Sequence, residues 1–210
     1  MKSIEIQSPV RGNLSFMNPP GHHPDAKDFV AVGNSGKPYP PIKLIYHILY
    51  KLNVEDTYAW GKEVYSPFEG YIRKVENNKD DRITLNIVSD LFKGLILAPR
   101  NANKSIDYFL GNHLIIESIE GTYALMAHLR KGSIKVEEGQ LVKAGDIIGQ
   151  IGNSGNTIQP HLHFQLMNEN DPSKSIPIPF SLKSYKIKQE GYWKDMTNDL
   201  PKNYQTFVVE

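Results

Sequence analysis

The run Gln159-Pro160-His161-Leu162-His163-Phe164-Gln165 places two histidines two positions apart in a strand-like segment. In an extended strand alternate side chains share a face, so the two imidazoles face one space, with about 6.5–7 Å between their Cα atoms. Upstream stand His128 and the segment Gly21-His22-His23-Pro24-Asp25-Ala26-Lys27-Asp28. Five of the seven histidines (His22, His23, His128, His161 and His163) fall in these short motifs, while His47 and His113 stand apart. Such a set suits a metal ion. Zinc accepts neutral imidazole nitrogen and carboxylate oxygen, and a catalytic zinc site uses three protein ligands and keeps a fourth position for water. Two histidines and one aspartate would fill it. An isolated His-X-His pair is more often a half-buried strand whose rings bond to neighbours. Three separate segments, each with a metal-competent or proton-transfer side chain, weigh against that reading here. His47, in an apolar helical pattern, and His113, at the head of an apolar strand, read as ordinary structural histidines.

The 210-residue chain is 40% hydrophobic, enough for one globular domain with a sizeable core and an elaborated loop or two. Its 24 basic and 23 acidic residues nearly cancel, and no basic stripe marks a nucleic-acid footprint. With no cysteine there is no disulfide framework, no thiol nucleophile and no thiolate zinc site, so a bound zinc must be held by nitrogen and oxygen. The first nine residues lack an apolar core of signal-peptide length, and no stretch approaches a membrane span. The expectation is a cytoplasmic chain as written, or one of the cell envelope or exterior if a leader has been removed. Oligomeric state is not legible.

The elements that must hold these side chains are mostly strands. Segments rich in Val, Ile, Tyr and Phe alternate with Gly, Asn, Asp and Pro clusters, which predicts a mainly β fold, an antiparallel sandwich or barrel-like single domain with one short helix and irregular insertions. Strands are expected at 13–17, 28–32, 63–65, 70–77, 82–88, 112–119, 122–129, 146–151 and 161–167. A helix is expected after Pro40-Pro41, where Ile42, Ile45, Leu49 and Leu52 recur at helical spacing. Residues 101–107 read as a loop. The tail after Asp171, with Pro172, Pro177, Pro179 and Pro201, reads as an irregular wrap. The division expected is a zinc-binding domain over 1–175, its core about 13–167, and a C-terminal extension over 176–210 packing on it.

Between Val136 and Gly155 the glycines fall where tight β turns need positive φ. A phosphate loop is excluded, since neither Gly-X-Gly-X-X-Gly nor a closing Gly-Lys-Ser/Thr occurs. Domains that carry biotin or lipoate share this turn-and-strand pattern, but Lys143 reads more simply as an exposed turn lysine.

Four stretches together resemble the lysostaphin/LytM-type zinc endopeptidases, which cleave stem peptides or cross-bridges of bacterial peptidoglycan. They are residues 21–32, the run Trp60-Gly61-Lys62-Glu63-Val64-Tyr65-Ser66-Pro67-Phe68-Glu69-Gly70-Tyr71-Ile72, residues 123–129, and residues 136–164 with their closing Pro160-His161-Leu162-His163-Phe164. The likeness spans roughly 13 to 167 and is interrupted at 41–58 and 77–105. It implies that zinc is held by His23, Asp28 and His163, with His22 the alternative to His23. It implies also that His161 and His128 stay off the metal as catalytic groups, one taking a proton from water and the other serving the oxyanion or the leaving amine. The family pattern sets three residues between histidine and aspartate, whereas four separate His23 from Asp28 and five separate His22 from it. His23 is preferred as the nearer.

The function this implies is a zinc metalloendopeptidase acting on peptide or peptidoglycan. Two rivals belong to other classes: an inactive or regulatory relative that binds a partner cell-wall hydrolase, and a phosphohistidine carrier-like domain. The first would be marked by a missing ligand or catalytic histidine. The second would leave Asp28 and the His22-His23 pair without purpose.

Overall fold

The computed structural model describes residues 3–18, 23–43, 50–86, 105–189 and 191–210. The strands are β1 (Ile4–Ile6), β2 (Gly12–Met17), β3 (Lys27–Ala31), β4 (Leu52–Asn53), β5 (Glu63–Tyr65), β6 (Gly70–Glu76), β7 (Thr84–Leu85) and β8 (Asn112–Ser118). They continue with β9 (Tyr123–Leu129), β10 (Leu141–Val142), β11 (Ile147–Gln150), β12 (Leu162–Met167), β13 (Pro177–Ile178), β14 (Phe180–Gln189), β15 (Tyr192–Asp199) and β16 (Thr206–Val209). A short helix, α1 (Ile106–Leu110), enters β8 through Gly111. Twelve strands form one sheet in the order β1-β14-β16-β2-β3-β12-β9-β8-β6-β10, with β13 beside β12 and β15 beside β14. The β1–β14 pair is parallel and the other pairs are antiparallel. This is the mainly antiparallel β fold that the alternating pattern predicts.

Period-two alternation sorts the side chains of the central strands onto two faces. Phe16, Phe29, Ala31, Leu114, Ile116, Ala124, Met126, Leu162, Phe164 and Leu166 share the main core. Ile115, Leu125, Ala127 and Met167 lie on the opposite face, where Leu110 of α1 packs with them. Edge-to-face contacts join Phe16 to Phe29 at 4.7 Å and Phe164 to Phe180 at 5.0 Å, and Phe207 lies 4.9 Å from Phe16. The aromatic chain thus crosses from β2 and β3 into the C-terminal strands.

Several expectations shift. The C-terminal tail is not an irregular wrap, because β14 and β16 are integral to the sheet and Phe180, Leu182 and Phe207 are buried in its core. Its prolines argued for irregularity, but they fall outside the long strands: the ten residues of β14 contain none, and Pro201 sits between β15 and β16. The loop expected at 101–107 contains the start of α1, whose Leu110 and Ile106 close the smaller core. Of the helix expected after Pro40-Pro41, residues 44–49 lie outside those described. Leu52, at its far end, is a buried strand residue of β4 paired with Leu85. Among the described residues no helix is long and apolar enough to cross a membrane.

Candidate active site

The register of three neighbouring strands assembles the site. His163 of β12 stands directly across from Asp28 of β3 on one side and Ala127 of β9 on the other. Because Phe164 and Phe29 point into the main core, His163 and Asp28 must point to the other face, and His161, two positions earlier, follows them. Asp28 is 1% exposed, and its Oδ1 lies 2.9 Å from His163 Nδ1. His161 is buried, with Nε2 3.6 Å from Asp28 Oδ2.

His128 reaches this face by a departure from alternation. It has the parity of Ala124 and Met126, both in the main core, so a regular strand would carry it to the wrong side. The ladder skips here: Asn112 pairs with Leu129 and Leu114 with Met126, leaving Ala127 and His128 opposite His113 alone. This bulge puts His128 at φ 63°, a left-handed conformation uncommon for a residue with a Cβ. Leu129 takes over the core position, and the His128 ring lies 4.7 Å from that of His161 and 6.0 Å from that of His163.

Backbone carbonyls set the protonation of two rings. His128 Nδ1 lies 2.9 Å from the Ser154 carbonyl and His161 Nδ1 lies 2.8 Å from the Gln159 carbonyl. A carbonyl only accepts, so each Nδ1 carries a hydrogen, and in the neutral ring Nε2 keeps the lone pair. Thr157 Oγ1 donates to the same Gln159 carbonyl at 2.7 Å and lies 3.1 Å from His161 Nδ1, which holds that ring from a second direction. His161 Nε2 is buried and makes no hydrogen bond among the described residues. A buried lone pair without a donor is the state in which an imidazole can take a proton.

Burial, and then the neighbouring His161 and His163, hold the His128 imidazole well below its ordinary value of 6.5. The Ser154 carbonyl and Asp28 act in the opposite sense. His128 is therefore neutral at neutral pH.

His23 closes a turn into β3: its carbonyl accepts from the Ala26 amide at 3.0 Å, and its Nδ1 accepts from the Asp25 amide at 3.2 Å. The ring is exposed. Among the described residues no three histidine, aspartate or glutamate side chains gather tightly enough to hold an ion as they stand, so His23 does not join Asp28 and His163 in a closed set. His22 lies outside the described residues. The donors nonetheless suit zinc. The Asp28 carboxylate and the His163 imidazole, in contact on adjacent strands, and the His23 imidazole in the turn before β3 offer only nitrogen and oxygen.

Ser154, Thr157, Gln159 and Asn112 are the functional neighbours that sequence reasoning passed over. Their contributions are the Ser154 and Gln159 carbonyls, the Ser154 and Thr157 hydroxyls and the Asn112 amides, none of which a spacing rule reports. The Gly152-Asn153-Ser154-Gly155 cluster signals a turn and nothing about what lies above it.

The two solitary histidines differ. His47 lies outside the described residues. His113 is fully buried, with Nδ1 2.8 Å from the Gly111 carbonyl and Nε2 3.6 Å from Asp107 Oδ1, a structural role as expected. Burial chiefly lowers its pKa below 6.5, with Lys74 adding to the effect and the Gly111 carbonyl, Asp107 and Glu76 opposing it. The folded protein then resists protonation that the unfolded chain accepts. Stability from this group is complete above about pH 6.5 and is lost as pH falls from there toward the lower folded value. Thermal melting between pH 7 and pH 5 should show a decline that is shallower in His113→Gln; equal slopes would remove His113 as its source.

The antiparallel sheet thus presents a carboxylate and three histidines on one face. Residues 54–175, more than half the chain, match Peptidase family M23, and the chain belongs to that family. The matched region contains His128, His161 and His163 but begins beyond His22, His23 and Asp28. Glycyl-glycine endopeptidase ALE-1 of Staphylococcus capitis is 35% identical over 104 residues, which cover 48% of this chain and 26% of that protein. Peptidoglycan DD-endopeptidase ShyB of Vibrio cholerae is 39% identical over 80 residues, 36% of this chain and 18% of that protein. Lysostaphin of Staphylococcus simulans is 42% identical over 69 residues, 32% of this chain and 12% of that protein. The chain thus matches about a quarter or less of the length of these relatives. The crystallised catalytic domain of Staphylococcus simulans lysostaphin aligns over 80% of this chain and 84% of its own, at 19% identity and TM-score 0.42.

Proposed function

We propose that this chain is a zinc-dependent endopeptidase that hydrolyses peptide bonds in the stem peptides or cross-bridges of bacterial peptidoglycan. The observation that carries the reading is the convergence of Asp28, His163, His161 and His128 on one buried face, two of the rings with their Nε2 lone pairs preserved. Membership of family M23 supports it, and so do relatives named as glycyl-glycine and peptidoglycan endopeptidases.

Asp28, His163 and one histidine of the His22-His23 pair, His23 by preference, would hold the ion. Bound there, zinc supplies Lewis acidity, which eases deprotonation of water and polarises a carbonyl. His161 Nε2 accepts the proton of the attacking water, while Gln159 and Thr157 keep its ring from turning. His128 is neutral in the resting site, so it must gain a proton at Nε2 before it can donate to an oxyanion or a leaving amine. The Ser154 carbonyl on its Nδ1 stabilises that charged form.

The test is incubation of metal-loaded protein with purified sacculi and with synthetic glycine-bridge and stem peptides, followed by mass analysis. New amine ends within wall peptides are expected, together with about one equivalent of zinc by elemental analysis. A folded, zinc-loaded protein that cleaves no wall peptide yet binds a cell-wall hydrolase tightly would replace this reading with the regulatory one. Protein that acquires a phosphate on His161 or His163 from a phosphoryl donor and takes up no zinc would replace it with the carrier reading.

A further inference from the structure

We propose that Ser154 is a positioning residue for His128, holding the bulge that brings this ring to the catalytic face and fixing which of its nitrogens faces the reaction. The inference rests on the endopeptidase reading for its catalytic meaning and on geometry for its content.

Ser154 is fully buried and grips the bulge at two points. Its carbonyl accepts from His128 Nδ1 at 2.9 Å. Its hydroxyl donates to the Leu129 carbonyl, one residue further along β9, at 2.8 Å and accepts from the Asn112 amide at 2.9 Å. Asn112, also fully buried, donates from Nδ2 to the same Leu129 carbonyl at 3.0 Å. The His128 carbonyl in turn accepts from the Gly152 amide at 3.0 Å. The left-handed residue is thus tied on its ring, its own carbonyl and the next carbonyl.

These ties have a competitor. A regular β9 would release the strain of the left-handed conformation by returning His128 to the core side. The Leu129 carbonyl is what must rotate for that to happen, and Ser154 Oγ is one of the two donors that hold it. Loss of the hydroxyl therefore loosens the bulge, and loss of the carbonyl contact lets the His128 hydrogen migrate to Nε2. A neutral ring with its hydrogen on Nε2 could not take up there the proton that His128 must gain before passing it to a leaving amine.

The experiment uses the zinc-loaded full chain. Long-range proton–nitrogen NMR of the His128 ring should show the hydrogen on Nδ1 in the wild type and a mixed tautomer in Ser154→Ala. On a cleavable peptide, Ser154→Ala should lower kcat by about 10²-fold and leave KM within about twofold, with Ser154→Thr restoring both spectrum and rate. If Ser154→Ala does not fold, Ser154→Cys, nearly isosteric with a weak donor, takes the same measurements. A wild-type ring with its hydrogen on Nε2, or a folded variant with unchanged spectrum and kcat, overturns the proposal. The spectra decide it even if no wall peptide is cleaved, so its failure is distinguishable from that of the endopeptidase reading.

Discussion

Alanine in place of His163 or Asp28 should remove bound zinc and peptide cleavage together, whereas alanine in place of His161 should leave the zinc and lower turnover by about 10²–10⁴-fold. The contrast follows from the geometry. His163 and Asp28 meet at 2.9 Å across β12 and β3, so each is within reach of a common ion. His161 has Nδ1 committed to the Gln159 carbonyl, and its Nε2 lies 3.6 Å from Asp28 Oδ2, where it can reach a water without being needed to hold the metal. Zinc content of each purified variant, turnover on a synthetic bridge peptide and a melting curve are the measurements. His23→Ala belongs with the first group on the proposed ligand set, which takes this exposed ring from the turn just before β3. Should His161→Ala arrive as empty of zinc as His163→Ala, both strand histidines are ligands and the base lies elsewhere. Zinc lost from His22→Ala and kept in His23→Ala would exchange those two residues and leave the chemistry as described.

The second large effect is structural. Gly111→Ala should destabilise the protein by about 2–6 kcal/mol, the sum of backbone strain and forced overpacking. Gly111 has φ 65°, and a Cβ there would sit 2.4 Å from the Ser154 carbonyl carbon and 2.5 Å from the Gly155 amide. Gly155 meets the same wall from the other side, since its Cβ would lie 2.5 Å from the Gly111 amide and the Phe109 carbonyl. Two backbones pass here with no room for a side chain. That passage brings the turn holding Ser154 beneath His128. A chain of this size loses about 2–4 °C of melting temperature per kcal/mol, so a fall of at least about 4 °C is expected. Gly121→Ala is the control: φ is 84° but a Cβ would meet nothing within 4 Å, so strain is its whole cost. Equal melting shifts for the two variants would show that close approach contributes nothing at Gly111.

Much of the site was legible in the residues. Alternation alone places His161 and His163 on one face, and the apolar neighbours Phe29 and Phe164 turn Asp28 and His163 away from the main core. Alternation fails at His128. Its parity assigns it to the main core, and only the bulge against β8 reverses that, through a positive φ that nothing in Ala127-His128-Leu129 announces. The resemblance, not the local pattern, brought His128 into the site.

Local chemistry determined the strands, the turn glycines, the nitrogen-and-oxygen character of any metal site and the separation of His113 from the rest, since each depends on residue type and near neighbours. The tertiary structure decided what depends on distant backbone. It set the Asp28–His163 register across 135 positions of chain. It also set the ring tautomers through the carbonyls of Ser154 and Gln159, and the entry of β14 and β16 into the sheet despite the prolines between the tail's strands. A carbonyl is the same in every residue, so its position beneath a histidine is written in no side chain and exists only once the strands have paired.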